Sequence, residues 1–353
     1  MIVHQWIPAA HRGDAVGDNA RRIRDVFRGW GHESDIFALT IDEDLAGEAR
    51  PWHDPASRRA DVTIFHFAIA SPMTEAFGRL PGARVLHYHN VTPPHFFAPF
   101  DPGIARLAML GRQEVATLAD RTDLALGVSE YNREALESMG FPRTGVLPIL
   151  VDTARLREAP PVPALERTLT DGLCNILFVG RIAPNKKIED HIRLAEHYKR
   201  YVDSFYRFIF VGRYDAVPHY HAAVRALVAE YRMLPDRFWF TGPVPDRELA
   251  AYYRHAHAYV SLSEHEGFCV PLVEAMSMDV PVLAYGAAAV PETLGGAGVC
   301  FTPKDLEQAA ELLGALVYDQ PLRDAVIAGE RARAAEFSRE RLEPGLEALL
   351  AAV

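Results

Sequence analysis

Cysteine is scarce in this chain of 353 residues: Cys174, Cys269 and Cys300 are the only three, and no two are spaced as C-x-x-C. An odd, sparse set fits reduced thiols in a cytosolic protein and excludes a disulfide scaffold. Long apolar runs are missing too. No stretch of about 20 apolar residues is present to span a bilayer. The opening MIVHQWIPAAHRGD meets charge too early for a secretory signal. Basic excess is also lacking, with 37 Lys and Arg against 47 Asp and Glu, a net charge of −10. That excludes broad binding to phosphate backbones, so no nucleic-acid partner is expected, and it leaves room for one local basic pocket. A G-x-G-x-x-G turn with an acid about 20 residues later, which a two-domain dehydrogenase would need, is absent. No internal sequence repeat is visible.

What is present is an ordinary soluble mix, 49% apolar and 24% charged, long enough for two domains at roughly 100–200 residues each. Strand patterns such as MIVHQWIP, SDIFALT, DVTIFHFAIA and ARVLHYHNV alternate with helical ones such as DNARRIRDVFRGWG and IARLAMLGRQEVATLADR. The rhythm breaks between Asp152 and Gly172, where DTARLREAPPVPALERTLTDG carries three prolines and reads as a linker. It restarts with CNILFVGR and continues to GVCF. Alternating strands and helices imply parallel sheets. The chain is therefore expected to be α/β, with two doubly wound Rossmann-like domains facing a central cleft. The expected spans are 1–165 for the first domain, 170–337 for the second, and a final helix, 338–353, returning to the first. Ligands on such sheets bind beyond the carboxyl ends of the strands, and domain interfaces favour small-molecule sites.

The stretch SEHEGFCVPLVE places carboxylates at both ends of an apolar run. AYVSLS reads as a strand and Pro271 as the first residue of a helix, where its missing N–H costs nothing. Glu266 then falls in the strand-to-helix loop and Glu274 in about the first helical turn. The amides of Gly267, Phe268 and Cys269 lie where a helix N-terminus favours an anion. A phosphate at the amides with hydroxyls at the two carboxylates describes a nucleotide sugar. The plainer alternative is two solvated acids near a helix start. LFVGRIAPNKK puts Arg181 at a strand end and Lys186 five residues on, two cations suited to a diphosphate, or else a solvated basic loop.

Other features carry less. In the first loop Gly13 and Gly17 allow close backbone approach, and Asp18 is the expected cap of the first helix. His87 and His89 share a strand face. With no carboxylate or thiolate nearby to complete a ligand set, no metal is expected, and His89 is assigned a sugar hydroxyl instead. Asp42-Glu43-Asp44 resembles a metal-binding DxD but reads as surface. His219/His221 and His255/His257 are assigned to helices, where i,i+2 residues face apart. Cys269 lacks a base and is taken as pocket wall. The amphipathic stripe of Ile104–Leu118 fits core packing better than a lipid surface. Glu264 and His265 have no assigned role.

On these motifs the chain resembles the large retaining glycosyltransferase family of GT-B architecture, often called family 4. The resemblance runs over nearly the whole chain. It is carried by E-x7-E at Glu266-GFCVPLV-Glu274 with Pro281 to Thr293 behind it, by F-V-G-R-x4-K from Phe178 to Lys186, and by G-V-S-E-Y-N from Gly127 to Asn132. It implies that Arg181 and Lys186 bind the donor diphosphate, that Glu274 holds the ribose hydroxyls, and that Glu266 meets the donor sugar beside the amides of Gly267, Phe268, Cys269 and Val270. It further implies that His89 lies near the transferred sugar, that Gly17 and Gly180 approach the phosphates, and that Val244 flanks the base. Gly13 and Asp14 are left for the acceptor side. The implied activity is metal-independent, cofactor-free transfer of a hexosyl group with retention. GDP-mannose is the first expected donor and a UDP-sugar the next, with a glycan, lipid-linked or small-molecule acceptor. The expected setting is cytoplasmic, with at most peripheral contact at the inner face of the membrane, for which Arg21, Arg22 and Arg24 offer a modest basic cluster. Pro344 and Gly345 are expected to interrupt the last helix. The alternatives are a nucleotide-sugar epimerase of the same architecture, a phosphorylase, for which no pyridoxal-phosphate lysine is evident, and a non-catalytic nucleotide-sugar binder.

Overall fold

The computed structural model describes residues 1–234 and 236–353. The chain divides into two compact units. The first comprises Met1–Ala98, Pro102–Val151 and Arg339–Val353, and the second comprises Pro99–Asp101 and Asp152–Ser338.

The first unit holds strands β1 Val3–Ala10, β2 Ile36–Ile41, β3 Ala49–Pro51, β4 Val62–Phe67, β5 Ala83–Tyr88, β6 Leu124–Gly127 and β7 Thr144–Val146. They form one sheet in the order β3-β2-β1-β4-β5-β6-β7, all parallel. Parallel strands covered on both faces read as continuous apolar runs, and β4 is buried at all six positions. The chain leaves β1 toward β2 and later returns on the other side as β4. The switch point, where ligands settle on such sheets, therefore lies beyond the carboxyl ends of β1 and β4.

The second unit holds β8 Cys174–Val179, β9 Tyr206–Val211, β10 Phe238–Gly242, β11 Ala258–Ser261, β12 Val282–Tyr285 and β13 Val299–Phe301. Their order is β10-β9-β8-β11-β12-β13, again parallel throughout. Here the switch point falls between β8 and β11. The loop after β8 carries Arg181 to Lys186, and the loop after β11 carries Leu262 to Cys269. The two motifs singled out in the sequence thus converge because topology makes their strands neighbours.

Several local expectations are corrected. The first helix spans Ala15–Gly29 and is capped by Asp14, whose side chain accepts from the Gly17 amide; Asp18 lies in its first turn instead. Gly17 therefore belongs to the helix and not to a loop. The expected boundary at 165–170 falls inside the second unit. The linker forms two short helices, Ala154–Arg157 and Pro163–Leu169, that bury Leu156 and Leu169. Arg254 also ties the segment down by donating to the carbonyls of Leu156 and Ala159. The last helix runs unbroken over Arg339–Ala352 with Pro344 inside it. Losing that backbone bond costs about 3 kcal/mol, and burial of Leu342, Leu346 and Leu349 against Ile23 and Phe27 of the first unit offsets it. His255 caps the helix Asp246–Arg254 rather than lying within it, and His257 follows it, its Nδ1 accepting from the Asn175 amide. The arginine cluster is already occupied: Arg21 pairs with Asp18, Arg24 with Asp25, and Arg22 donates to the Leu150 carbonyl. Among the described residues no helix is long and apolar enough to cross a membrane.

A buried cation fixes the linker to the second sheet. Arg207 on β9 is 2% exposed, stacks on Trp239 at 4.0 Å, and donates to Asn175, Asp171 and the Thr168 carbonyl. Removing one member of a buried charge network leaves the others uncompensated. The Arg207→Ala variant is expected to lose roughly 3–5 kcal/mol in urea denaturation; a loss under about 0.5 kcal/mol, ordinary for a surface change, would show that the network does not hold the linker.

Candidate active site

Both site loops of the second unit enter their helices through left-handed backbone at a residue that is not glycine. Lys187 has φ 52° before the helix Ile188–Tyr201, and Cys269 has φ 73° before the helix Val270–Ser277. Such strain persists where surrounding structure over-determines it, and it gathers at ligand sites. Burial holds the Cys269 thiol far above its ordinary range, so Cys269 serves as neutral wall.

Asn185 supplies part of that determination. Its side-chain amide donates to the His265 carbonyl at 3.0 Å, and its own carbonyl accepts from the Glu264 amide at 2.9 Å. The loop of Lys186 and the loop of Glu266 are thereby stitched edge to edge. Across the stitch, Lys186 Nζ donates to both oxygens of Glu266, at 2.5 and 2.6 Å. Glu264 pairs with Lys187 and accepts from Lys304 Nζ, which also holds Asp190. Glu264 and His265 thus gain structural roles that sequence did not assign. On the far side, Thr293 donates its hydroxyl to the Phe268 carbonyl at 2.5 Å.

The two acids are not solvated. Glu266 is 7% and Glu274 3% exposed. Glu274 lies in the second turn of its helix, one turn later than expected. One of its oxygens is held by Arg155, which also engages Asp246, and the other accepts from the Tyr253 hydroxyl at 3.0 Å. Burial next to that carboxylate raises Tyr253 well above its usual range, so it stays a donor. Arg155 and Tyr253 come from distant sequence with no motif to mark them. Arg181 is exposed, and its guanidinium makes no ion pair among the described residues. Gly180 sits beside it at φ 151°, a conformation open to glycine. Val244 is half-buried in the loop after β10. The second switch point therefore offers one free cation, one cation shared with a carboxylate, a helix N-terminus and two buried acids. That set fits a diphosphate bearing hydroxylated groups on either side.

In the first unit, Gly13 has φ 68° beside the Asp14 cap, so Gly13, Asp14 and Gly17 lie at the carboxyl end of β1. His89 follows β5 and is itself followed by Asn90 at φ 75°. It is not paired with His87 alone. His66 on β4, which sequence did not single out, bonds its Nδ1 to His89 Nε2 at 3.0 Å and its Nε2 to Gln5 Oε1 at 2.7 Å. His87 Nε2 meets the Leu147 carbonyl at 2.8 Å. One ring nitrogen from each of the three histidines lies within 4.8 Å of the others. Burial depresses all three, His87 to about 4 and the other two well below the usual range, so they are neutral at physiological pH. Asp42 and Asp44 engage Arg12 at the surface.

Comparison with known proteins bears on this site. The family described as "Glycosyl transferases group 1" matches residues 170–333, which include both site loops. The "GDP-mannose-dependent alpha-mannosyltransferase" of Mycolicibacterium smegmatis is 31% identical over 284 residues, covering 78% of this chain and 69% of that protein. The "O-antigen chain mannosyltransferase B" of Escherichia coli is 26% identical over 226 residues; the match covers 63% of this chain and spans only 58% of that relative's length. Among solved structures, Anabaena Alr3699/HepE in complex with UDP-glucose superposes with TM-score 0.79 at 16% identity over the whole of both chains. The expected GT-B fold is thus the fold observed, two parallel doubly wound sheets of seven and six strands.

Arg155 compensates a carboxylate that has almost no access to water. Deleting it strands that charge, with a cost reduced by the partial exposure of Arg155 itself. Arg155→Ala is expected to lower the unfolding free energy by roughly 2–3 kcal/mol, and Arg155→Ala combined with Glu274→Gln should recover most of that loss. Equal losses in the single and double variants would show that the pair is not coupled.

Proposed function

The chain belongs to the group 1 glycosyltransferases, and from that premise we propose that it moves a mannosyl group from GDP-mannose to a glycan acceptor with retention at the anomeric carbon. The observation that carries the reading is the second switch point, where Lys186 bridges to Glu266 beside the unpaired Arg181. The choice of GDP-mannose is supported by relatives whose names specify it. A UDP-sugar is the second reading, favoured by the likeness to a structure solved with UDP-glucose. The acceptor class proposed is a lipid-linked or free glycan, and the proposed setting is the cytoplasm with at most peripheral membrane contact.

In this reading the diphosphate lies against Arg181, Lys186 and the amides of Gly267 to Val270. As the anomeric C–O bond breaks, negative charge grows on the departing phosphate oxygens, and the sugar becomes oxocarbenium-like. Fixed cations stabilise that charge more than they stabilise the ground state, and this difference is what accelerates the reaction. The acceptor hydroxyl attacks the same face and passes its proton to the leaving phosphate. Lys186 turns from Glu266 to the phosphate, which frees a Glu266 oxygen for a sugar hydroxyl. Glu274 takes the ribose hydroxyls, for which Arg155 must yield at least one oxygen. Val244 flanks the base, and Gly17 and Gly180 let backbone approach the phosphates. Gly13 and Asp14 are assigned to the acceptor side and His89 to a substrate hydroxyl. The charge-neutralising role falls to side chains and amides, and the proposal assigns none to a metal or cofactor.

Lys186→Ala is expected to lower kcat for GDP-mannose turnover roughly 10²–10³-fold, the scale of losing one transition-state charge contact, and also to lower the unfolding free energy by stranding the buried Glu266 carboxylate, so the rate is read at a temperature where the variant is folded. A wild-type rate would overturn the assignment. NMR of the product is expected to show the anomeric configuration of the donor, and an inverted centre would refute the retaining mechanism.

A further inference from the structure

The loop from Glu266 to Cys269 is held by a third element, the helix Val290–Leu294 that follows β12. The Ala289 amide, at the start of that helix, donates to the Glu266 carbonyl at 3.3 Å. One turn on, the Thr293 hydroxyl donates to the Phe268 carbonyl. Thr293 is 1% exposed. A threonine inside a helix commonly bonds back to the carbonyl four residues earlier. Thr293 has a single hydroxyl proton and commits it to the loop instead. Valine has nearly the same shape, so packing alone does not call for the hydroxyl.

So short a helix does not stand alone in water, and Arg333 braces it. Its Nε donates to the Thr293 carbonyl at 3.0 Å and its Nη2 to the Glu292 carbonyl at 2.7 Å, a cation at a helix C-terminus. The same guanidinium lies over the Phe337 ring at 4.6 Å, and Phe337 packs edge-on against Phe268 at 5.3 Å. Arg333, Thr293, Phe268 and Phe337 thus form a closed ring of contacts. A Cβ on Gly295 would lie 2.6 Å from Arg333 Nε, so glycine there keeps the ring shut. The effect on the loop amides follows from peptide planarity. In a trans peptide the C=O and N–H of one unit point in opposite directions. The Glu266–Gly267 and Phe268–Cys269 units are trans, and both carbonyls are held by the helix Val290–Leu294 and its first amide. The Gly267 and Cys269 amides therefore aim away from that helix. The Cys269 amide has no hydrogen-bond partner among the described residues.

We propose that Thr293 is a positioning residue for the donor: its hydroxyl holds the peptide between Phe268 and Cys269 so that the Cys269 N–H is presented to the diphosphate. The identity of that anion rests on the glycosyltransferase reading, whereas the hold on the loop does not. Thr293 touches no substrate in this account and acts only through the peptide it orients. The left-handed backbone at Cys269 is kept in part by the same bond, because the hydroxyl fixes the peptide from which that residue turns into its helix.

Calorimetric titration of the whole chain with GDP and with GMP tests this, together with ¹⁵N labelling of cysteine. Three cysteines give three backbone amide signals, and Cys174→Ser and Cys300→Ser identify that of Cys269 by elimination. In the wild type, GDP is expected to shift the Cys269 amide and to leave those of Cys174 and Cys300 in place. Thr293→Val is expected to bind GDP roughly ten-fold more weakly, the scale of one net hydrogen bond, with GMP within about two-fold of wild type. Its Cys269 amide should lose most of the GDP-induced shift. Thr293→Ser keeps the hydroxyl and should bind GDP within about three-fold of wild type. A general structural role would weaken both nucleotides alike. Wild-type GDP affinity in a folded Thr293→Val overturns the proposal, as does equal weakening of GDP and GMP. Should Thr293→Val not fold, the other two proteins decide: a Cys269 amide unmoved by saturating GDP in the wild type, or a loss in Thr293→Ser as large as about ten-fold, overturns it. Failure of the wild type to bind any nucleoside diphosphate, UDP included, refutes the glycosyltransferase reading and the proposal together, whereas the preceding outcomes overturn the proposal and leave that reading standing.

Discussion

The interaction on which the candidate site depends is the ion pair between Lys186 and Glu266. A carboxylate 7% exposed needs a partner, because an isolated buried charge costs many kcal/mol. Lys186 supplies it with two short hydrogen bonds, and the pair exists only because two loops from non-consecutive strands meet. The strand order β9-β8-β11-β12 brings them to one point. Asn185 then locks the loops together through backbone groups, so the pair does not have to hold them itself. This leaves the cation able to change partners when a more highly charged group arrives.

Each acid is satisfied from within the protein: Glu266 by Lys186, and Glu274 by Arg155 and Tyr253. Of the three cations Arg181, Lys186 and Arg155, Arg181 makes no ion pair among the described residues. Electrostatics thus divides the site. In the proposed reading Arg181 would attract an anion without giving up an ion pair, while Lys186 and Arg155 would exchange one contact for another. Exchange of equals costs little, whereas leaving either carboxylate uncompensated would be expensive. The first sheet solves a related problem with neutral groups. There burial removes charge from three imidazoles, and orientation is set by hydrogen bonds alone.

Much of this was legible in the sequence, for reasons of range. The alternation of strands and helices and the motifs around Lys186, Glu266 and Glu274 are local patterns, and topology preserved their spacing. Partners contributed from afar were not legible. Arg155 meets Glu274 across 119 positions and Gln5 meets His66 across 61, and neither carries a mark of its own. Competing local signals produced the other differences. Asp18 reads as the cap of the first helix, yet Asp14 is the residue whose side chain reaches the Gly17 amide. Nothing local marks Cys269, a non-glycine residue, as the one that carries the left-handed backbone before the helix. Pro344 looked like a break, and three buried leucines overrode it.

The most direct measurement of the central claim is calorimetric titration of the full-length chain with GDP and, separately, with GMP. A site built on Arg181, Lys186 and the helix amides grips the diphosphate, so GDP is predicted to bind with one-to-one stoichiometry and GMP at least roughly ten-fold more weakly, the loss of one charge-assisted hydrogen bond or more. Equal affinity for the two nucleotides, or no binding of GDP, would contradict it.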